Sequence, residues 1–160
     1  MGDAPRIREA RDGDAEGLVS LISAVFSEYE DCVVDLENLE RDLLAIRSYV
    51  AARGGNFWVA ERSGLIVACA GYTQPGAGIV ELKRLYVAKG ERNRGLGQRL
   101  YALVYDAALK LGARTLECWS DTRFKDAHAF YARRGLSRTS ETRALNDPSH
   151  SLEYQFRKKI

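Results

Sequence analysis

The chain has 160 residues, a length that suits one domain with a sizeable core. It is 46% hydrophobic and 29% charged, and a formal net charge of +2 is too small to point to nucleic acid or an anionic membrane. No run approaches the roughly 20 apolar residues that cross a bilayer, and the charged start MGDAPRIREARDGD lacks the apolar core of a signal peptide.

Residues 5–10 are expected to form a short first strand. Asp12 and Asp14 then offer N-caps to a helix striped by Leu18, Leu21, Ile22, Val25 and Phe26. Residues 27–34 break that stripe, with Tyr29 set among Glu28, Glu30 and Asp31. Asp35 can cap a second helix carrying Leu36, Leu39, Leu43, Ile46 and Val50, which Gly54-Gly55 ends. Residues 57–60 and 65–70 read as strands joined through Ser63-Gly64, an antiparallel hairpin. A turn at residues 74–78 leads into the next strand. The helix that follows runs to about Leu111, with Gly112 as its stop. Residues 115–119 are a fifth strand and 125–134 a fourth helix. Residues 136–140 and 152–157 are final strands around a polar loop, 141–151. Helices interspersed with a hairpin indicate a mixed α/β sheet.

Residues 79–100, IVELKRLYVAKGERNRGLGQRL, form one mechanical unit. Val80, Leu82, Leu85, Tyr86 and Val87 are strand-favouring residues, while Leu96, Leu100, Leu103 and Val104 recur at helical spacing. A strand feeding a glycine-bearing loop into a helix start places unpaired N–H groups and the positive end of the helix dipole together, a site for phosphate. Neither the P-loop nor the dinucleotide fingerprint fits: no Lys-[Ser/Thr] follows Gly90 or Gly95, and Leu100 stands at the third-glycine position. What fits is R-x-x-G-x-G, made by Arg92, Gly95 and Gly97.

The run Arg92-Asn93-Arg94-Gly95-Leu96-Gly97 after Leu85-Tyr86-Val87 resembles motif A of the GNAT acetyltransferase superfamily. Residues 129–136, AFYARRGL, resemble the same family's motif B. The order of elements agrees, so the resemblance covers nearly the whole chain. It implies one N-acetyltransferase domain over residues 1–160. The fold would be a mixed sheet of about six to seven strands flanked by about four helices, splayed where acyl-CoA binds. It also implies transfer of an acetyl group from acetyl-CoA to a primary amine, directly, in a ternary complex. Asn93 departs from the family's usual glycine, but asparagine tolerates left-handed backbone angles. Phe124 stands where many members carry a cofactor-contacting asparagine, so that contact is not carried over.

Acyl transfer needs an amine freed of its proton, donors to the thioester carbonyl and a proton for the leaving thiolate. Glu81 is a carboxylate inside an otherwise apolar strand, costly unless hydrated or paired, and Lys83 or Arg84 could simply pair with it. The resemblance makes it the general base, directly or through water. Tyr131, in the fourth helix, could be an ordinary core tyrosine with a surface hydroxyl. The resemblance makes it the acid to the coenzyme A sulfur. By the same resemblance the backbone at Leu85, Tyr86 and Val87 receives the pantetheine as an added strand. The resemblance also makes Arg92, Asn93, Arg94, Gly95, Leu96 and Gly97 the expected cradle of the pyrophosphate, although the two arginines could be ordinary solvated charges.

Trp119, Asp121 and Phe124 follow the fifth strand, and Tyr29 and Glu30 follow the first helix; together they are candidates for the amine site. Surface packing or a solvated charge run explains them equally well. His128 and His150 have no partner at ligand spacing, so no metal is expected. Cys32, Cys69 and Cys118 form no CxxC and read as free packing thiols of a cytoplasmic protein. The expected partner is a small-molecule or peptide amine, with room for a homodimer and none for nucleic acid or membrane. Two rivals remain: a non-catalytic acyl-CoA-binding or regulatory domain, and an acyltransferase for another acyl group.

Overall fold

The structure is a computed structural model and describes residues 3–160. The chain begins with strand β1 (Arg6–Glu9), helix α1 (Ala15–Phe26) and, after a long irregular stretch, helix α2 (Ile46–Ala51). Strands β2 (Asn56–Arg62), β3 (Leu65–Gly76) and β4 (Ile79–Val87) follow, then helix α3 (Leu96–Lys110), strand β5 (Thr115–Asp121), helix α4 (Lys125–Arg133) and strands β6 (Ser137–Ala144) and β7 (Leu152–Lys159). The strands form one mixed sheet in the order β1-β2-β3-β4-β5-β7-β6. Among the described residues only β4 and β5 pair in parallel. A parallel pair cannot be closed by a tight turn, and α3 is the crossover that joins it. The expected α/β architecture is the one observed.

Alternation along the strands splits the apolar residues into two cores. Val80 and Leu82 of β4 pack with Leu96, Leu100 and Val104 of α3, Leu116, Tyr131 and Phe156. Phe57, Val59 and Cys69 pack on the other face with Leu18, Ile22, Leu43, Ile46 and Val50. Ser63 and Gly64 turn the β2–β3 hairpin at φ 51° and 78°, as a two-residue turn matched to strand twist requires. All three cysteines are buried and free.

Three boundaries differ from the sequence reading. The second helix is not continuous from Asp35: residues 36–40 are turns, Arg41–Ala45 is a 3-10 turn, and α2 starts only at Ile46. Tertiary ion pairs override the helical pattern there. The Arg84 guanidinium donates to Asp42 Oδ1 at 2.8 Å and to the Leu39 carbonyl at 2.8 Å, while Glu40 Oε2 accepts from the Asp35 N–H at 2.6 Å. The third strand reaches Gly76, and β6 reaches Ala144, so the polar loop before β7 is shorter than expected. Residues SRTSETRA lack an apolar stripe because β6 is the sheet's edge, where charge guards against stray pairing.

Arg84 also bends β4. Its φ is +57°, and the β3–β4 register shifts between Cys69 and Gly71. That irregularity changes which residues face which core: Val80 and Leu82 face α3 before it, Leu85 and Val87 after it. Tyr86 consequently packs on the α1 side.

Candidate active site

Strands β4 and β5 pair only through Ile79–Thr115, Val80–Leu116 and Glu81–Glu117. Beyond Glu81 they diverge, because β4 turns at Arg84 while β5 stays paired with β7 along its whole length, from Thr115 to Asp121. The β5-facing edge of β4 is therefore open from Leu82 to Val87, the opening expected near Leu85 to Val87. A cavity of about 600 Å³ occupies the gap, lined by Leu85, Tyr86 and Val87 on one strand and Trp119, Ser120 and Asp121 on the other.

One end of the cavity is the start of α3. Asn93 and Gly95 adopt left-handed angles, φ 63° and 81°, which turn the chain from β4 into the helix. The Arg99 N–H bonds back to the Gly95 carbonyl at 3.0 Å, so the earlier amides of the helix have no carbonyl to reach. Gly95, Leu96, Gly97 and Gln98 line the cavity there. A Cβ at Gly97 would lie 3.6 Å from the Phe130 and Val87 side chains, an ordinary contact, so the fold admits a side chain at this point of the cavity lining. This end fits a pyrophosphate through backbone donors and the helix dipole.

The two arginines of the loop differ: Arg92 lines the cavity and Arg94 does not. The Arg92 guanidinium is held by Glu28 at 2.6 and 2.7 Å and by the Val87 carbonyl at 2.9 Å, so it staples the loop to the end of α1. Arg94 is exposed and outside the cavity lining. Gly97→Asp is accordingly expected to leave the fold intact and weaken acetyl-CoA binding at least about tenfold, since a carboxylate would stand before the phosphate donors. Calorimetric titration checks this; unchanged affinity in the folded variant would remove the loop from the site.

Tyr131 reaches the cavity from α4 and is 6% exposed. Its ring packs on Phe156 at 5.6 Å and on Phe130 at 5.8 Å. Burial, with the nearby Cys118 and Tyr86 side chains, pushes its hydroxyl well above the ordinary tyrosine range. It therefore holds its proton at any working pH, the condition for a donor. Glu81 lies elsewhere. It follows Val80 and precedes Leu82 and so faces away from α3. Its carboxylate is 3.5 Å from both Thr73 Oγ1 and Lys83 Nζ, and it is absent from the cavity lining.

The remaining wall combines α1 with the β5–α4 connection. Tyr29 and Phe124 both line the cavity, with ring centroids 4.8 Å apart. Trp119 and Asp121 line it too, and Asp121 is clamped by Arg123 through both carboxylate oxygens, at 2.8 and 2.7 Å, which holds its pKa below the usual carboxylate value despite burial. Glu30 is exposed and contributes only its carbonyl, to Arg123 at 3.3 Å. Among the lining residues that sequence reasoning missed are Arg84, Arg133, Arg134 and Glu153. Arg133 and Arg134 adjoin Tyr131 in the AFYARRGL run and were legible as neighbours; nothing in the sequence brings Glu153 of β7 to this place.

Among the described residues no group of three or more His, Cys, Asp or Glu is arranged to hold a metal, and no helix is long and apolar enough to cross a membrane. No curated protein matches the chain. Solved structures do. A GNAT-family acetyltransferase from Staphylococcus aureus Mu50 is 22% identical, with a TM-score of 0.83 over 98% of this chain and 99% of that one. An acetyltransferase from Streptococcus agalactiae 2603 is 18% identical, with a TM-score of 0.81 over 98% of each chain. A ribosomal-protein-alanine N-acetyltransferase from Brucella melitensis is 23% identical, with a TM-score of 0.69 over 97% of this chain and 99% of that one. At such identities these likenesses speak to the fold alone. The acetyltransferase (GNAT) family model matches residues 20–136, which span both the open strand edge and Tyr131, and the chain belongs to the GNAT acetyltransferase family.

Proposed function

We propose that the protein is a cytoplasmic N-acetyltransferase that moves an acetyl group from acetyl-CoA to a primary amine, directly, in a ternary complex. The observation that carries this reading is the open β4 edge running straight into the unpaired amides at the start of α3. Together they match a donor with an extended, amide-bearing arm and a pyrophosphate. The donor supplies an acyl group on a good leaving sulfur. Backbone N–H groups near Leu85 to Val87 polarise the thioester carbonyl, as a preformed oxyanion site does. Tyr131 gives its proton to the sulfur as the C–S bond breaks and the C–N bond forms. The amine's proton passes to a carboxylate on the sheet face away from α3.

Glu81 is the base in this reading. Because its carboxylate stands outside the cavity lining, the proton reaches it through water. Glu81→Gln keeps the shape but accepts no proton. It is expected to lower turnover about tenfold near neutral pH, with partial recovery at high pH as free amine becomes abundant. Coenzyme A release across pH, with acetyl-CoA and longer acyl-CoA donors, tests both the base and the donor. A normal profile in Glu81→Gln would pass the role to another carboxylate, and no release with any donor would favour a binding domain.

A further inference from the structure

We infer that the acceptor is a primary amine with a single positive charge and an aromatic body, held against the cavity-facing rings of Tyr29, Tyr86 and Phe124 with its nitrogen at Glu153. This rests on the acetyltransferase reading and names the substrate class of the same site.

The cavity runs between the two cores, and its walls divide accordingly. Leu85, Val87, Ala127 and Phe130 belong to the α3 side, next to the phosphate loop. Tyr29, Tyr86 and Phe124 belong to the α1 side. With Phe26 behind them they form one connected cluster. Phe124 lies 4.8 Å from Tyr29, 5.9 Å from Phe26 and 6.3 Å from Tyr86, and Phe26 lies 5.8 Å from Tyr86. Offset and edge-on rings at these separations are suited to receiving a further ring.

Charge bookkeeping in the cavity excludes a polycation. Glu91 is taken by Arg62 at 2.7 Å, and Asp121 has both oxygens on Arg123. Asp126 is exposed on the first turn of α4, where solvent screens it. Glu153 is different. Its side chain is 15% exposed, its Oε1 accepts from Arg143 Nε at 2.7 Å, and its Oε2 has no protein donor among the described residues. It enters the cavity lining from β7, opposite Asp121 in register, and shares that lining with Tyr86 and Tyr131. Arg84 and Arg92 in the lining are already paired with Asp42 and Glu28, but Arg133 and Arg134 line the same cavity with no carboxylate partner among the described residues. One ammonium finds one carboxylate oxygen; the further ammoniums of a polyamine would meet guanidinium groups.

The test compares 2-phenylethylamine, ethylamine and spermidine as acceptors by coenzyme A release, and titrates 2-phenylethylamine calorimetrically into the protein saturated with coenzyme A. The expected result is kcat/KM for phenylethylamine at least about tenfold above the other two, the usual worth of filling an apolar pocket. Phe124→Ala and Tyr29→Ala should each erase most of that preference, lowering kcat/KM for phenylethylamine at least about fivefold more than for ethylamine. A merely structural role would lower both amines alike. Glu153→Gln should raise KM for every amine with little change in acetyl-CoA affinity. Preference for spermidine, or an unchanged phenylethylamine preference in both ring variants, overturns the inference while the acetyltransferase reading stands. Binding of phenylethylamine without turnover of any amine keeps the aromatic site and sinks acetyl transfer. Neither binding nor turnover ends both.

Discussion

Tyr131→Phe is expected to lower turnover by on the order of 10²-fold, the low end for a positioned proton donor. The ring keeps its contacts with Phe130 and Phe156, so packing is preserved and only the hydroxyl is lost. Burial raises the hydroxyl's pKa, so no alkaline loss traceable to Tyr131 is expected in the wild type near neutrality. Acetyl-CoA affinity should hardly change, because the donors for the phosphates and the pantetheine arm are backbone groups on β4 and α3. Complete loss is not expected, since a thiolate leaves tolerably without help. Turnover and affinity measured on the same preparation decide the matter. Equal losses in both would make Tyr131 a binding residue, and no loss in either would leave it a core tyrosine.

Arg84→Met is expected to cost about 3–5 kcal/mol, the usual penalty for removing one partner of a buried ion pair. Arg84 side-chain exposure is 16%, and those of Asp42 and Glu40 are 7% and 6%. Removing the guanidinium strands two carboxylates and the Leu39 carbonyl in a dry place. For Glu40, burial already raises the carboxyl pKa, so protonation offers partial relief. Such a loss is a large share of the 5–15 kcal/mol typical of a whole domain. Chemical denaturation measures it. Met keeps the left-handed backbone of residue 84, so the comparison isolates the charge, while Arg84→Gly would relieve the backbone and still lose the pair. A loss under about 1 kcal/mol would mean that the carboxylates rehydrate once the arginine is gone.

By itself the sequence determined the architecture and one half of the site. Strand and helix periodicities are local, and so is the rule that a strand, a turn with left-handed residues and a helix start make a phosphate cradle. The expectation that Asn93 would tolerate left-handed angles is met by a φ of 63°. The hairpin at Ser63-Gly64, the α3 stop at Gly112 and the polar break after α1 were readable for the same reason. Tertiary structure alone decided the rest. The run from Asp35 to Val50 carries helical spacing, yet Arg84, far along the chain, draws Leu39 and Asp42 into a buried ion pair and delays the helix to Ile46. Arg92 lines the cavity as the motif suggests, but that Glu28 holds its guanidinium is not legible from the motif. Glu81 reads as a residue of the site, yet its carboxylate sits with Thr73 and Lys83 outside the cavity lining, and β7 carries Glu153 into that lining through its register with Asp121. Local patterns are encoded in neighbouring residues; the pairing of distant charges and the direction of a strand side chain are settled only when the sheet is assembled.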